Sequence, residues 1–165
     1  EQAEANQQWN LAVGYYTEAI KIRPDSADPY FKRGIIYVNY LKNYKAAVAD
    51  FTKSYELNPS NMLALYNRAA ANLQLYEFKK TIKDLDTFIA SNPDMAEAFL
   101  NRGIALMNLN KDLVDRAIED FNKGMLLKPA MPNLYRARAA AYQLKGLKEL
   151  ARADELRAAQ LERGQ

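Results

Sequence analysis

Two charged residue types recur along this 165-residue sequence at spacings that predict ion pairs. In each recurrence an aspartate follows an arginine by 16 to 18 residues: Arg33 and Asp50, Arg68 and Asp84, Arg102 and Asp120, Arg138 and Asp154. A guanidinium and a carboxylate can form two parallel hydrogen bonds, and a partly buried pair of this kind is strong. Because the pair is repeated so regularly, we predict that it fixes the register of packed elements and is not a ligand site.

The sequence contains no histidine and no cysteine, and this excludes most catalytic and metal chemistry. Ser-His-Asp triads, cysteine nucleophiles, Cys/His zinc sites and iron–sulfur clusters all require one of these two residues. The stretch 108–119 spaces its polar side chains as a calcium loop does, but Leu113 stands where the sharp turn of that loop needs glycine. We therefore expect no catalytic residue, no metal site and no cofactor, and we predict that the protein is not an enzyme.

The net charge of +3 comes entirely from the C-terminal end of the chain. Residues 1–129 carry 16 basic and 16 acidic side chains, whereas residues 130–165 carry 7 and 4. A nucleic-acid-binding surface needs a stripe of Lys and Arg along one face, and no such stripe is present. We predict no nucleic-acid partner, and an RNA-binding helical repeat is a remote alternative.

No apolar run approaches the roughly 20 residues that a membrane-spanning helix requires. We therefore expect a soluble protein without membrane insertion, and a cytoplasmic location is favoured over a periplasmic or membrane-anchored parent. Because the sequence starts at Glu1 without methionine, we also expect an excised or processed segment of a longer parent chain.

Prolines divide the chain into units of nearly constant length. Intervals of 35, 34 and 36 residues separate Pro24, Pro59, Pro93 and Pro129. Between the prolines, apolar residues recur at helical spacing and never alternate as in a strand. Each proline then ends a helix, because it lacks an N–H and disfavours helical backbone at the preceding residue. The sequence therefore predicts pairs of antiparallel helices.

Small residues recur within these units at two places. One row lies in the first helix of each pair and the other in the second helix: Gly34, Ala69, Gly103 and Ala139, and Ala12, Ala47, Ala117 and Ala151. A large apolar residue follows the second row four positions later, as at Phe51 and Phe121. Gly and Ala allow two helix backbones to approach closely, so these rows indicate the contact between the two helices of a pair.

The period, the two small rows, the aromatic residue of the second helix and the closing proline together resemble the tetratricopeptide repeat. This resemblance implies an all-α fold, a right-handed superhelical array of antiparallel helix pairs in one domain. Full units are expected at 27–59, 62–93 and 96–129, and a capping unit at 132–163. Residues 8–24 are similar to the second helix of a truncated earlier unit.

In this family the first helices line a concave groove that binds an extended or helical segment of a partner protein. The resemblance therefore implies a non-catalytic adaptor or assembly factor, with chaperone-like assembly among its roles. Helical spacing places these residues on the inward stripe: Phe31, Lys32, Ile35, Asn39, Leu63, Tyr66, Asn67, Ala70, Gln74, Leu100, Asn101, Ile104, Asn108, Asn133, Arg136 and Gln143. Amide side chains both donate and accept hydrogen bonds, which suits a peptide backbone. The alternative is that these side chains only pack against the neighbouring repeat.

The truncated first unit suggests a second interaction surface. Its helix lacks the partner helix that would cover one face, and Trp9, Ala12, Val13 and Tyr16 fall on that face at helical spacing. Terminal units of repeat arrays need a polar outer face, so we expect these residues to be covered by upstream residues or by a second copy. A homo-oligomer formed through the N-terminal end, as in a structural module that stacks through its ends, is the alternative function.

Overall fold

The computed structural model describes residues 2–164, and the side chains of residues 7–164. Within this range the chain forms nine α-helices and one short 3-10 helix, and no strand. The predicted all-α fold is confirmed. Contacts along the chain group into two compact units, Glu1–Glu77 and Phe78–Gln165, whereas the sequence predicted one domain. The boundary falls between the two helices of the expected repeat 62–93.

The first unit contains four helices, each packed against the next: α1 (Gln2–Ile22), α2 (Ala27–Asn39), α3 (Tyr44–Leu57) and α4 (Met62–Gln74). The expected helix pair at 27–59 corresponds to α2 and α3. Helix α1 begins at Gln2, whereas the truncated unit was expected to start at residue 8. Residues 2–8 include Gln, Ala and Glu and neither Gly nor Pro, so nothing in this stretch ends the helix.

The second unit contains five helices: α5 (Phe78–Ser91), α6 (Ala96–Leu109), α7 (Val114–Leu127), α8 (Pro132–Leu144) and α9 (Lys148–Glu162). Helices α6 and α7 form one antiparallel pair, and α8 and α9 form the next. The calcium-like stretch 108–119 is a 3-10 turn, Lys111–Leu113, that runs into α7. The Asn110 side chain accepts a hydrogen bond from the Asp112 N–H at 3.1 Å and so stabilises that turn.

The core of each unit lies between the two helices of a pair and the first helix of the next pair. In the first unit Ala47, Phe51 and Ala71 are buried together. In the second unit a larger core surrounds Phe121, and it includes Leu106, Val114 and Leu134. None of the helices in the described residues combines the length and the apolar character that a bilayer span requires.

The close helix approach that the small rows predict is seen at two glycines. A Cβ atom on Gly34 would lie 2.7 Å from the Phe51 ring, and one on Gly103 would lie 2.5 Å from the Phe121 ring. Both rings are fully buried. At both places a glycine of the first helix faces a phenylalanine of the second helix. The small glycine therefore leaves room for the large phenylalanine ring.

We predict that Gly103→Ala lowers the free energy of unfolding by about 1–3 kcal/mol, because the added methyl group overpacks the contact with Phe121. Adding Phe121→Leu should make room for the methyl group, so the double variant should lose less stability than the sum of the two single changes. Urea unfolding followed by circular dichroism measures all three variants.

The matched control is Gly14→Ala in α1, where a Cβ atom would meet no atom within 4 Å. Alanine favours a helix over glycine by about 1 kcal/mol, so this variant should be at least as stable as the wild type. A Gly103→Ala protein that is also as stable as the wild type would contradict the close approach.

The predicted arginine–aspartate pairs within each unit are present, and each is bidentate. Arg33 donates from Nε and Nη2 to the Asp50 carboxylate at 2.8 and 2.7 Å. The corresponding distances are 2.8 and 2.7 Å for Arg102 with Asp120, and 2.7 and 2.8 Å for Arg138 with Asp154. The carboxylates of all three pairs are buried. These hydrogen bonds raise the pKa of Arg33, Arg102 and Arg138.

Each of these arginines has a third partner, which the sequence analysis did not identify. The remaining nitrogen, Nη1, donates to a side chain on the helix that precedes the helix of the arginine. The acceptor is Thr17 for Arg33 at 2.9 Å, Asp86 for Arg102 at 2.8 Å, and Asn122 for Arg138 at 2.6 Å. Arg68 likewise donates to Thr52, at 3.2 Å. The guanidinium groups of Arg33, Arg102 and Arg138 therefore each connect three helices: the helix of the arginine, the helix after it and the helix before it.

We predict that Asp120→Ala lowers the free energy of unfolding by about 3 kcal/mol, because it leaves a mostly buried guanidinium without its bidentate partner. Asp86→Ala should cost less than about 1 kcal/mol, since the Asp86 side chain is 50% exposed and its bond to Arg102 is partly screened by water. Chemical unfolding of both variants at neutral pH compares them directly. Equal losses would show that the bidentate pair is not the dominant interaction of Arg102.

Candidate partner-binding faces

Within each unit, the first helices of successive pairs are neighbours. In the first unit α2 contacts α4, and in the second unit α6 contacts α8. The predicted stripe residues therefore form two faces. The α2–α4 face comprises Phe31, Lys32, Ile35, Asn39, Leu63, Tyr66, Asn67, Ala70 and Gln74. The α6–α8 face comprises Leu100, Asn101, Ile104, Asn108, Asn133, Arg136 and Gln143.

The apolar residues of the α2–α4 face differ in how much surface they present. Phe31 and Ile35 are half-buried and pack against the core of the first unit. The Phe31 ring lies 5.8 Å from the Phe51 ring, centroid to centroid, with the planes tilted by 59°. Leu63, at the start of α4, is 50% exposed. Core packing thus holds Phe31 and Ile35 in place, and Leu63 offers the most accessible apolar contact.

The polar residues of this face are partly engaged in local bonds. The Lys32 ammonium pairs with Asp28 one helical turn away at 2.9 Å, and this hydrogen bond raises the pKa of Lys32. Asn67 Nδ2 donates to the Leu63 carbonyl at 2.8 Å. Among the described residues no group donates to the Asn67 Oδ1. That oxygen is therefore able to accept a hydrogen bond from a backbone N–H of a partner.

The α6 part of the second face is more buried than the sequence suggested. Leu100 is only 7% exposed, and Ile104 packs against the same core. Leu100 therefore belongs to the core of the second unit and presents little surface. Asn108 is exposed, and its Nδ2 donates to the Ile104 carbonyl at 2.8 Å, as Asn67 does to Leu63.

The α8 part of the second face carries polar side chains that are bonded to α9. Arg136 Nη2 donates to Glu162 at 2.6 Å, and Gln143 Nε2 donates to Glu155 at 2.6 Å. Asn133 is exposed at the start of α8. A partner that contacts Arg136 or Gln143 would therefore meet a side chain that is already bonded to a glutamate of α9. The Asn133 amide is accessible.

Glu97 lies at the start of α6, on the same helix side as the α6–α8 face. Its carboxylate accepts a hydrogen bond from the Lys128 ammonium, and this bond lowers the pKa of Glu97. The negative charge at this end of α6 is therefore offset by a neighbouring positive charge.

The N-terminal helix differs from the expectation. Trp9, Ala12, Val13 and Tyr16 are half-buried, and the Trp9 ring stacks on the Tyr40 ring with centroids 3.5 Å apart. Helix α1 packs against α2, and Trp9 contacts Tyr40 directly after the end of that helix. The exposed apolar residues of α1 lie on its other side: Leu11 at 58%, Tyr15 at 68% and Ile22 at 78% exposure.

Similarity to known proteins agrees with this repeat architecture. Residues 27–61, which span the α2–α3 pair, match the family model described as the tetratricopeptide repeat. Serine/threonine-protein phosphatase 5 of Rattus norvegicus is 30% identical over 87 residues, which are 53% of this chain and 17% of that protein. The SGT1 homolog of Oryza sativa subsp. japonica is 38% identical over 71 residues, 43% of this chain and 19% of that protein.

Solved structures share the fold over nearly the whole chain. The MamA 41-end structure from Desulfovibrio magneticus RS-1 aligns with a TM-score of 0.88 and 23% identity, covering 99% of this chain and 92% of that one. YrrB, described as a TPR protein with an unusual peptide-binding site, aligns with a TM-score of 0.81 and 21% identity, covering 96% and 80%. The chain spans less than a fifth of the length of the two curated relatives above.

The family match falls on one helix pair, and the same pattern of small residues, arginine–aspartate pairs and prolines repeats through the other pairs. The solved structures that share this fold include a TPR protein by description. Residues 27–61 therefore match the tetratricopeptide-repeat family, and the chain shares the fold of solved structures that include one such protein.

Proposed function

We propose that this protein is an interaction module that binds an extended or helical segment of a partner protein on the faces that its first helices line. The α2–α4 face is the principal surface, and the α6–α8 face contributes polar contacts. In this role the protein acts as an adaptor or assembly factor and catalyses no reaction of its own.

One observation carries this proposal: Leu63 is half exposed beside Asn67, whose Oδ1 accepts no hydrogen bond among the described residues. A large apolar side chain next to an available amide oxygen suits a peptide, which presents side chains and backbone N–H groups together. Asn39 and Gln74 extend this accessible amide surface along α2 and α4. Phe31 and Ile35 support the face from the core and do not need a partner to be covered.

The relatives favour the same class of function. YrrB is described as having a peptide-binding site, and tetratricopeptide-containing relatives include a small glutamine-rich protein of Mycosarcoma maydis, 30% identical over 100 residues. The phosphatase and transferase relatives are matched over 17% and 7% of their lengths. Their enzymatic activities are therefore not carried over to this chain.

We predict that Leu63→Ala weakens binding of a partner peptide by about 1–2 kcal/mol, because it removes the most accessible apolar contact of the α2–α4 face. Peptides selected from a random library against the wild-type protein supply the ligand, and isothermal titration calorimetry measures the Kd.

The matched control is Leu156→Ala on α9. Leu156 is 58% exposed, close to the value for Leu63, but lies outside both faces. This variant should bind the same peptides as the wild type. Binding that survives Leu63→Ala, or that falls equally in both variants, would contradict the proposed face.

A second candidate function, self-association through the N-terminal helix, is favoured by one observation. Leu11, Tyr15 and Ile22 share one side of α1 at helical spacing, and each is more than half exposed. A second copy packed on this side would remove that apolar surface from water. The surface differs from the one that the sequence suggested, since Trp9 and its neighbours are half-buried against α2.

We predict that the double variant Leu11→Gln/Ile22→Gln is monomeric at concentrations at which the wild type forms dimers. Light scattering and size exclusion over a hundredfold concentration range measure the association. The control Leu144→Gln/Leu156→Gln also replaces two exposed leucines, at 53% and 58% exposure, and should associate as the wild type does. A wild-type protein that stays monomeric over the whole range would exclude this function for the chain.

A further inference from the structure

An open pocket of about 420 Å³ lies in the second unit. Residues of α5, α6 and α7 and of the segment between α5 and α6 line it. Its lining is mostly apolar: Ile89, Pro93, Phe99, Arg102, Lys123, Leu126 and Leu127. Phe99 and Arg102 stand on the side of α6 opposite to Ile104 and Asn108, as the helical period requires. The pocket is therefore separate from the α6–α8 face, and no motif in the sequence pointed to it.

At the position equivalent to Phe99, two other repeats have a tyrosine whose hydroxyl donates to a proline carbonyl. Tyr30 donates its hydroxyl to the Pro24 carbonyl at 3.2 Å, and Tyr135 donates its hydroxyl to the Pro129 carbonyl at 2.9 Å. Phe99 stands at the same place, six residues after Pro93, and has no hydroxyl. Within residues 7–164 no side chain or backbone N–H donates to the Pro93 carbonyl. Pro93, which lines the pocket, thus has a carbonyl without a donor among these residues, whereas the equivalent carbonyls of two other repeats accept from a tyrosine.

One residue in the wall of the pocket is more apolar than the residues at the same position in two other repeats. Leu126 stands at the position that Glu56 and Gln160 occupy in other repeats. Leu126 is 83% exposed and Leu127 is 38% exposed, although both are large apolar residues. An apolar group of a ligand that covers these side chains would remove their surface from water.

The charges beside the pocket favour an aromatic ring. All three nitrogens of the Arg102 guanidinium are engaged by Asp120 and Asp86. Lys123 has no carboxylate partner in the described part of the chain, and its ammonium lies 6.0 Å from the centre of the Phe99 ring. An ammonium attracts the negative face of an aromatic ring, so Lys123 complements a second ring placed in the pocket.

We propose that this pocket binds a tyrosine side chain presented by a segment of a partner protein. The ring of that tyrosine lies against Leu126 and Leu127 beside the Lys123 ammonium, and its hydroxyl donates to the Pro93 carbonyl. The ligand thereby supplies the hydrogen bond that Tyr30 and Tyr135 supply within their own repeats. This site adds a second docking point on the other side of α6, and it does not depend on the α2–α4 face.

Nuclear magnetic resonance titration of ¹⁵N-labelled full chain with N-acetyl-tyrosinamide tests the proposal. We expect saturable shifts of the backbone amide signals of Lys123, Leu126 and Leu127. N-acetyl-phenylalaninamide lacks the hydroxyl and should bind about fivefold more weakly, because one net hydrogen bond is lost.

Two variants localise the binding. Phe99→Tyr provides the internal hydroxyl found at Tyr30 and Tyr135, so it should abolish the saturable shifts while the fold is retained. Leu126→Glu places at an exposed position the residue found at Glu56, and it should also abolish them. Leu63→Ala, which tests the α2–α4 face, should leave tyrosinamide binding unchanged.

Three results would overturn the proposal. One is the absence of saturable shifts in the wild type. Another is equal affinity for the tyrosine and phenylalanine amides. The third is binding that persists in both Phe99→Tyr and Leu126→Glu, which would place the amide elsewhere on the protein.

Discussion

An arginine of the first helix connects three helices in each of the three repeats built around Arg33, Arg102 and Arg138. Two of its nitrogens bind the aspartate of the paired helix, and the third binds a side chain of the preceding second helix. A guanidinium presents its donors in a fixed plane, so these bonds specify the relative positions of the helices more narrowly than apolar contacts do. The register of the helix pairs within each unit depends on this interaction.

The close packing of the paired helices complements that network. Gly34 and Gly103 lie directly over the Phe51 and Phe121 rings, where even a methyl group would be too near. The aromatic rings fill the space between the helices, and the buried aspartates lie beside them. The arginine–aspartate pair and the glycine–phenylalanine contact therefore join the same two helices. Both contacts constrain how closely and in which register these helices pack.

This packing leaves two sides of the first helices with different chemistry. On α2 and α4 the amides and Leu63 remain accessible, whereas Leu100 on α6 is absorbed into the core. On the opposite side of α6, Phe99 and the exposed Leu126 line a pocket. Side-chain differences within a repeated framework thus give different surfaces to different repeats.

The sequence alone determined the helical class, the repeat length, the close helix approach at the rows of small residues and the arginine–aspartate pairs, because each is a local pattern repeated at fixed spacing. Only the tertiary structure decided which stripe residues remain accessible. Leu100 occupies the stripe position of Phe31 and Tyr66, but neighbouring helices bury Leu100 and leave the other two half-buried. Likewise, the direction in which α1 packs Trp9, the third partner of each arginine and the pocket over Phe99 depend on side chains far apart in sequence. Helical periodicity identifies a face, but the surroundings of that face are set by the helices that pack on it.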